Sequence, residues 1–467
     1  MSLTSGFIRE ALSGKAKVIS KKFEASKPIS RVWTDSRSLQ SKDLFVALNG
    51  DVFDGHEFIA DAVGQKGVTS VVCEKYPANT TQDGVDIFLV EDSLKAYRAI
   101  AKAWKVKLAP KTIAIAGSVG KTTTKDLLWS MAKEKFPHTQ KTQGSQNGYI
   151  GIPMTFFELK SECDVAVIEV GIDRPGAMAE HIELVEPDIS IVTAISEEHL
   201  EWLIDLPTVA REENLILRET SQADGVSIVN LDDPWIAPVF EEVKLKNAIG
   251  FSLVKPASSN IVSGRLNQSV LTVEGGWFST FEVHCPLPGE HNARNLLGAI
   301  SAAMCLGLKS QEIIRGLEKF VPSVGRSVWS VSATGSRVFC DYYNANPSSM
   351  KAAFQVIRES MLNSSDQVWL CLGDMKELGS NEQKLHESLA TDIASSFKRA
   401  TCILVGERMK WLANALTKIS YQGSVEWFED SEAAAKGLCS RLQGSQNVIL
   451  VKGSRSLKME KIWQSIA

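Results

Sequence analysis

The sequence predicts an α/β protein of three domains, and three observations lead to it. The chain has 467 residues, more than one hydrophobic core ordinarily serves, so several domains are expected. Apolar strand-like runs alternate with helical patterns in two separate stretches, the pattern of parallel sheets with crossover helices. Between the first such strand and helix lies "GSVGKTTTKD", residues 117–126, a glycine turn that reads as a phosphate loop. The expected division is a small mixed α/β domain over residues 1–105, a central parallel-sheet domain with the phosphate loop and a β-rich insert over 106–325, and a doubly wound, Rossmann-like domain over 326–467.

The first stretch holds the strand-like pieces "DLFVAL", "GVTSVVCE" and "DIFLVE", separated by turn-rich segments such as "NGDVFDGHEF". In the second, "TIAIAG" precedes the helical "TTTKDLLWSMAKEKF", "VAVIEVG" precedes "PGAMAEHIELV", and "ISIVTAIS" precedes "LPTVAREENLILRETS". The β-rich "SNIVSGRLNQSVLTVEGGWFSTFEVHCPL" leads into "GEHNARNLLGAISAAMCLGL", which reads as an amphipathic helix with small residues on one face. From residue 326 the alternation restarts with "RVFCDYY", "SMKAAFQVIRES" and "QVWLCLGD", and it runs on to "NVILVKG".

Composition excludes several classes. Hydrophobic residues make up 44% and charged residues 23%, as in globular rather than disordered chains. A net charge of -4 without a basic stripe argues against a nucleic-acid partner. No run is apolar for the roughly 18 residues of a membrane span, and "MSLTSGFIREALSGKAK" lacks the cationic start and apolar core of a signal peptide. The eight cysteines form no C-x-x-C pair, and most sit in strand-like runs, so reduced core thiols and a cytoplasmic setting are expected.

In a phosphate loop, Gly117, Ser118 and Gly120 give a turn whose amides meet phosphate oxygens. Lys121 neutralises them, and Thr122, followed by Thr123, offers a hydroxyl to Mg²⁺. The plain alternative is an ordinary glycine turn, and Ile115 stands where the commonest pattern has its first glycine. Glu169 in "VIEVG" and His199 in "ISEEHLEWL" follow strands, at the sheet edge where ligands collect. There a carboxylate can hold a metal that bridges phosphates. Asn292 and Asn295 in "HNARN" suit an adenine edge or a helix cap. Asp341, Asn344 and Asn346 in "DYYNANP", Asp374 and Glu377 in "GDMKELG", and Lys452 and Arg455 in "VKGSRS" are polar strand ends suited to anions or to solvated loops.

These residues together resemble the Mur ligase family, and the likeness covers essentially the whole chain. "TDSRSLQSKDLFVALNGDVFDGHEFIADAV" resembles its UDP-binding domain, while "GSVGKTTTK", "IEVG", "EEHLE" and "GEHNARN" resemble its ATPase domain. "YNANPSSM", "LGDMKELG" and "VKGSR" are most similar to the branch that adds D-alanyl-D-alanine, and the D-N-P-R signature of the branch adding the third residue is not found. The resemblance implies an ATP-dependent ligase that joins D-alanyl-D-alanine to UDP-N-acetylmuramoyl-tripeptide through an acyl phosphate, with Mg²⁺, as a monomer. It implies Lys121, Glu169 and His199 as catalytic residues and Thr122, Glu169, His199 and Glu213 at the metals. Asn292, Asn295, Arg326, Asp341, Asn344 and Asn346 then contact ATP, and Thr34, Asp35, Ser36 and Arg37 the uridine side. Thr142 and Asn147 meet the muramoyl peptide, with Asp374, Glu377, Lys452 and Arg455 on the substrate side of the last domain.

Three positions depart from the family pattern. Glu213 stands where members usually carry a lysine that becomes carbamylated and ligates the second Mg²⁺, Ala194 where they have asparagine, and Ala177 where they have glutamate. Either Glu213 ligates the metal or that site is weakened. A ligase adding a different residue and a non-catalytic nucleotide-binding paralogue are the competing expectations. The UDP-type motif argues against a folate-like acceptor.

Overall fold

Runs of β-branched and aromatic residues become strands wherever the alternation predicts them. The computed structural model describes residues 3–50, 53–242, 247–361, 367–442 and 446–467, so Asp51 and Val52 of the "NGDVFDG" turn lie outside the described residues. The chain divides into two units, one of Met1–Ala114, Phe136–Val170 and Glu180–Asp188, the other of Ile115–Lys135, Gly171–Ala179 and Ile189–Ala467.

In the first unit a five-stranded sheet runs in the order Ala16–Ile19, Asp86–Val90, Ser70–Cys73, Leu44–Val46, Val32–Trp33. All its pairings are parallel except that of Ala16–Ile19 with Asp86–Val90. Helix Ser93–Leu108 covers it with a stripe of Ala96, Tyr97, Ile100, Ala101 and Trp104. Asp92 caps the helix by accepting from the Lys95 amide at 2.8 Å. Burying Tyr97, Ile100 and Trp104 contributes on the order of 5 kcal/mol. The same unit pairs Gln140–Lys141 in parallel with Val165–Glu169, a strand buried along its whole length.

In the second unit Ile189–Val192, Val226–Asn230, Ala248–Ser252 and Ile261–Asn267 are successive parallel neighbours. Val270–Gly275 and Phe278–His284 continue antiparallel from them. The β-rich insert is therefore continuous with the central sheet. The helix Glu290–Cys305 differs from the amphipathic expectation, because Leu296 through Ala303 are all buried. Its glycine, alanine and serine residues are small enough for neighbours to close on it all round.

The last six-stranded sheet has the order Val328–Val331, Arg337–Cys340, Asn447–Lys452, Gln367–Gly373, Thr401–Val405, Val425–Phe428. Only its first pairing is antiparallel. Side chains alternate between two cores: Phe339, Leu370, Leu404 and Leu450 face one, and Val338, Cys371, Ile403 and Ile449 the other. Six cysteines are buried and all eight are free thiols, as the strand-like contexts predict. Among the described residues no helix is long and apolar enough to cross a membrane.

The helix that follows the phosphate loop, Lys121–Ala132, is clamped by Glu290–Cys305 and Ser310–Glu318. Gly316 makes the second contact possible: a Cβ there would strike the Met131 backbone and lie 2.9 Å from the Ser130 carbonyl. The Ser130 hydroxyl donates to the Gly316 carbonyl at 2.7 Å. Gly316→Ala is expected to cost about 1–3 kcal/mol through overpacking and to lower the thermal midpoint by several degrees. An unchanged midpoint in differential scanning calorimetry would show that the two helices do not meet so closely.

Candidate functional site

The turn between strand Lys111–Ala116 and helix Lys121–Ala132 has little freedom. Gly117 and Gly120 take φ of 117° and 91°, where L side chains are strained. A Cβ at Gly117 would strike the Thr193 hydroxyl and lie 2.9 Å from the Thr193 amide; one at Gly120 would strike Asn295 Oδ1. The Ser118 amide donates to the Ala194 carbonyl at 2.7 Å. Ala194 thus contributes a backbone atom that any residue supplies. The Thr193 hydroxyl lies 2.5 Å from the Val119 carbonyl and 3.1 Å from that of Ala116. The result is a fixed turn opening onto the N-terminus of a twelve-residue helix, where partial positive charge favours anions.

Charge gathers around this turn. The Lys121 ammonium donates to the loop's own Gly117 carbonyl and to the Ser118 carbonyl at 3.3 Å, with Glu198 Oε1 at 3.6 Å. Glu213 is wholly buried, and its Oε2 accepts the Gly117 amide at 2.8 Å. Burial raises both carboxyls' pKa values; Lys121 and His199 oppose it at each. Glu198 Oε1, Glu213 Oε1 and Ser118 Oγ are buried without a hydrogen-bond partner. Glu212, one position earlier, turns elsewhere and accepts the Gly176 amide at 3.0 Å.

His199 takes the left-handed conformation, φ 50°, just before helix Leu200–Leu203. Its Nδ1 lies 2.8 Å from Glu377 Oε2, and the Leu200 amide donates to the Glu377 carbonyl at 2.9 Å. Burial disfavours the imidazolium, but the Glu377 hydrogen bond and the Glu198 charge prevail and the pKa is raised. Glu377 is lowered in return, chiefly by that bond. Asn346 caps helix Pro347–Ser360 by accepting from Ser349 at 2.9 Å, and donates to the Ser196 hydroxyl at 3.0 Å.

Strand ends of the last sheet converge as their sequence suggests. Lys452, 2% exposed, reaches Asp341 Oδ2 at 2.6 Å and the Asn344 carbonyl at 3.1 Å. Burial pushes the Asp341 carboxyl up, but Lys452 more than offsets it and the pKa is lowered. Asp374 is buried, accepting the Met409 amide at 3.0 Å, while its carbonyl takes the Ser454 amide at 3.0 Å. Arg326 stacks 4.0 Å above Tyr343, and Arg455 flanks the same ring and pairs with Glu460. Asn292 is not a helix cap: Gly289 holds that position, and the Asn292 side-chain Nδ2 donates to the Pro288 carbonyl at 2.7 Å.

In the first unit, Glu169 ends its strand 1% exposed, its amide donating to the Thr142 hydroxyl at 3.0 Å and its Oε1 accepting from Asn147 at 2.9 Å. Asp35 and Arg37 form an exposed bidentate pair at 2.9 and 2.8 Å beside Thr34 and Ser36. Bonds from Arg37 hold the Asp35 carboxyl down at about 2. Sequence reading missed Glu198, Ser196 and Thr193. The two carboxylates of "ISEEH" were the only signal for Glu198, and spacing does not say which one folds inward.

Family models match three consecutive stretches: "Mur ligase family, catalytic domain" over residues 28–105, "Mur ligase middle domain" over 115–303, and "Mur ligase, glutamate ligase domain" over 325–455. A UDP-N-acetylmuramoyl-tripeptide–D-alanyl-D-alanine ligase of Rickettsia prowazekii is 29% identical over 442 residues, 93% of this chain and 94% of that protein. One from a Synechocystis species is 30% identical over 367 residues, 78% of this chain and 77% of its own. The crystal structure of MurF from Acinetobacter baumannii matches with a TM-score of 0.86 and 27% identity, covering 99% of this chain and 98% of that one.

Two outcomes follow from the geometry. Gly120→Ala places a side chain at positive φ against Asn295 and is expected to weaken binding of a fluorescent ADP analogue about tenfold or more; unchanged affinity would detach this turn from nucleotide. Glu377→Gln removes the carboxylate that favours the imidazolium, so His199 should titrate at lower pH in NMR of ¹³C-labelled histidine. An unmoved titration would mean that the pair does not form in solution.

Proposed function

Because the chain belongs to the Mur ligase family, we propose that it joins D-alanyl-D-alanine to UDP-N-acetylmuramoyl-tripeptide with cleavage of ATP, yielding the UDP-linked pentapeptide, ADP and phosphate. The observation that carries this reading is the fixed phosphate loop with Lys121 in a chain similar over nearly its whole length to D-alanyl-D-alanine ligases. ATP and a UDP-linked peptide are intracellular solutes, which places the reaction in the cytoplasm.

A carboxylate is a poor electrophile. Transfer of the ATP γ-phosphoryl group to the tripeptide's terminal carboxylate gives an acyl phosphate, whose phosphate leaves when the dipeptide amine attacks the carbonyl carbon. The protein's task is to hold anions side by side and to keep water out. Gly117, Ser118, Gly120 and Thr123 belong to the loop and first helical turn that would receive the phosphates. Lys121, resting on its own loop's carbonyls, has only to turn outward to meet the γ-phosphoryl group.

Magnesium, when bound, neutralises phosphate charge and keeps most of its ligands as phosphates and waters, so few protein donors suffice. Glu198 Oε1, buried without a hydrogen-bond partner, fits a cation in this unit. Thr122 and His199 are further donors of the same unit, and Glu169 is assigned to a metal as a buried strand-end carboxylate. With His199 Nδ1 engaged by Glu377, Nε2 is the nitrogen for a metal. We assign Asn292, Asn295, Arg326, Asp341, Asn344 and Asn346 to the nucleotide, Thr34 to Arg37 to the uridine side, and Thr142 and Asn147 to the peptide. Asp374, Glu377, Lys452 and Arg455 shape the edge that receives the dipeptide.

With Mg²⁺, ATP and the UDP-linked tripeptide, the purified protein is expected to release phosphate only when D-alanyl-D-alanine is added, with the pentapeptide seen by mass spectrometry. Lys121→Ala should lower kcat by about 10²–10³ with the circular dichroism unchanged. Release that ignores the dipeptide, or none at all, would overturn the reading.

A further inference from the structure

We infer that Glu213 is the positioning residue of the phosphate loop, its carboxylate fixing the Gly117 amide and so the shape in which the loop meets phosphate. The inference deepens the proposed nucleotide-binding reading and rests on it for the identity of the ligand.

Backbone direction creates the need for such a residue. Where the chain leaves the strand, the Ala116 carbonyl takes the Thr193 amide and the Ser118 amide reaches the Ala194 carbonyl, so both point to the same neighbouring segment. In the trans peptide that joins Ala116 to Gly117, the Gly117 N–H points opposite to the Ala116 carbonyl, away from that segment. A buried amide without a partner costs as much as a lost hydrogen bond, so some acceptor must be supplied. The acceptor is Glu213, which arrives from helix Leu206–Gln222 with Oε2 at 2.8 Å.

That helix is a firm support. Asp205 caps it through the Thr208 amide at 2.9 Å, and Asn214, the next residue after Glu213, donates to the Trp235 carbonyl at 2.8 Å. Glu213 is wholly buried, a costly place for a carboxylate unless an acceptor is wanted there. Its other oxygen has no partner, so the contact with Gly117 is the one hydrogen bond that the carboxylate makes among the described residues. Glu213 acts through the loop and is not itself a catalytic residue.

Positioning needs an acceptor atom at full reach, whereas metal ligation needs negative charge. Glu213→Gln keeps the acceptor and removes the charge; Glu213→Asp keeps the charge but withdraws it by one methylene; Glu213→Ala removes both. In nucleotide-free protein, hydrogen–deuterium exchange of the peptide containing Gly117 should rise about tenfold in the Asp and Ala variants and stay within about threefold of the parent in Gln. Binding of a fluorescent ADP analogue in EDTA should weaken in the same pattern, and added Mg²⁺ should strengthen the Gln variant as much as the parent. Asp behaving like the parent while Gln fails would make charge the determinant and overturn the inference, as would three variants alike. If Ala does not fold, the Asp and Gln pair still decides. A parent protein that binds no ADP would count against the nucleotide reading alone, because the exchange measurement needs no nucleotide.

Discussion

The rest of the site depends on one close approach, the meeting of the turn at residues 117–120 with Thr193 on one side and Asn295 on the other. Both contacts occupy the space of a Cβ, so glycine at 117 and 120 is a steric requirement as well as a matter of backbone angle. Once the turn is pinned, the helix Lys121–Ala132 has a fixed starting direction. Its packing on Glu290–Cys305 and Ser310–Glu318 then carries that direction into the core. Glycine recurs at these contacts because its own backbone has to come close to the neighbouring residue.

A second regularity is that charges pair where the strand-end loops meet. Lys452 has Asp341, and His199 has Glu377. Buried pairs such as Lys452 with Asp341 contribute little net stability over apolar groups in their place, yet removing one partner is costly. Their effect is to specify where strand-end loops sit. The left-handed residues His199 and Glu377 show the same economy of position, since their turns interlock through the Leu200 amide as well as through side chains. Near Lys121, Glu198 Oε1 pairs with its ammonium at 3.6 Å while one oxygen of Glu213 has no hydrogen-bond partner. An anion-binding site has to leave some of its electrostatics unsatisfied until its ligands arrive.

Much of the fold was legible in the residues. The strands "TIAIA", "VAVIE" and "ISIV" formed as continuous apolar runs should, and the phosphate loop sits at the strand-to-helix junction that its spacing required. Less legible was the helix at Leu296 to Ala303. A stripe of small residues reads the same whether one face is covered or all of them are. Asn292 illustrates the same limit: an amide near a helix start suits a cap, and only the backbone path decided that Gly289 takes that place.

By itself the sequence determined the element types, the glycine turn and the identity of the ionisable groups, because these follow from local periodicity and from chemistry that a residue carries wherever it goes. Which groups face one another was settled only by tertiary structure. Glu213 and Gly117 are 96 residues apart, and Asn346 and Ser196 are 150 apart. No periodicity relates such positions. Their meeting is fixed by how sheets stack helices and close chain loops, which is a property of the packed whole. So Glu213, legible only as a departure at a lysine position, gained a partner and a proposed role once the backbone around Gly117 was folded.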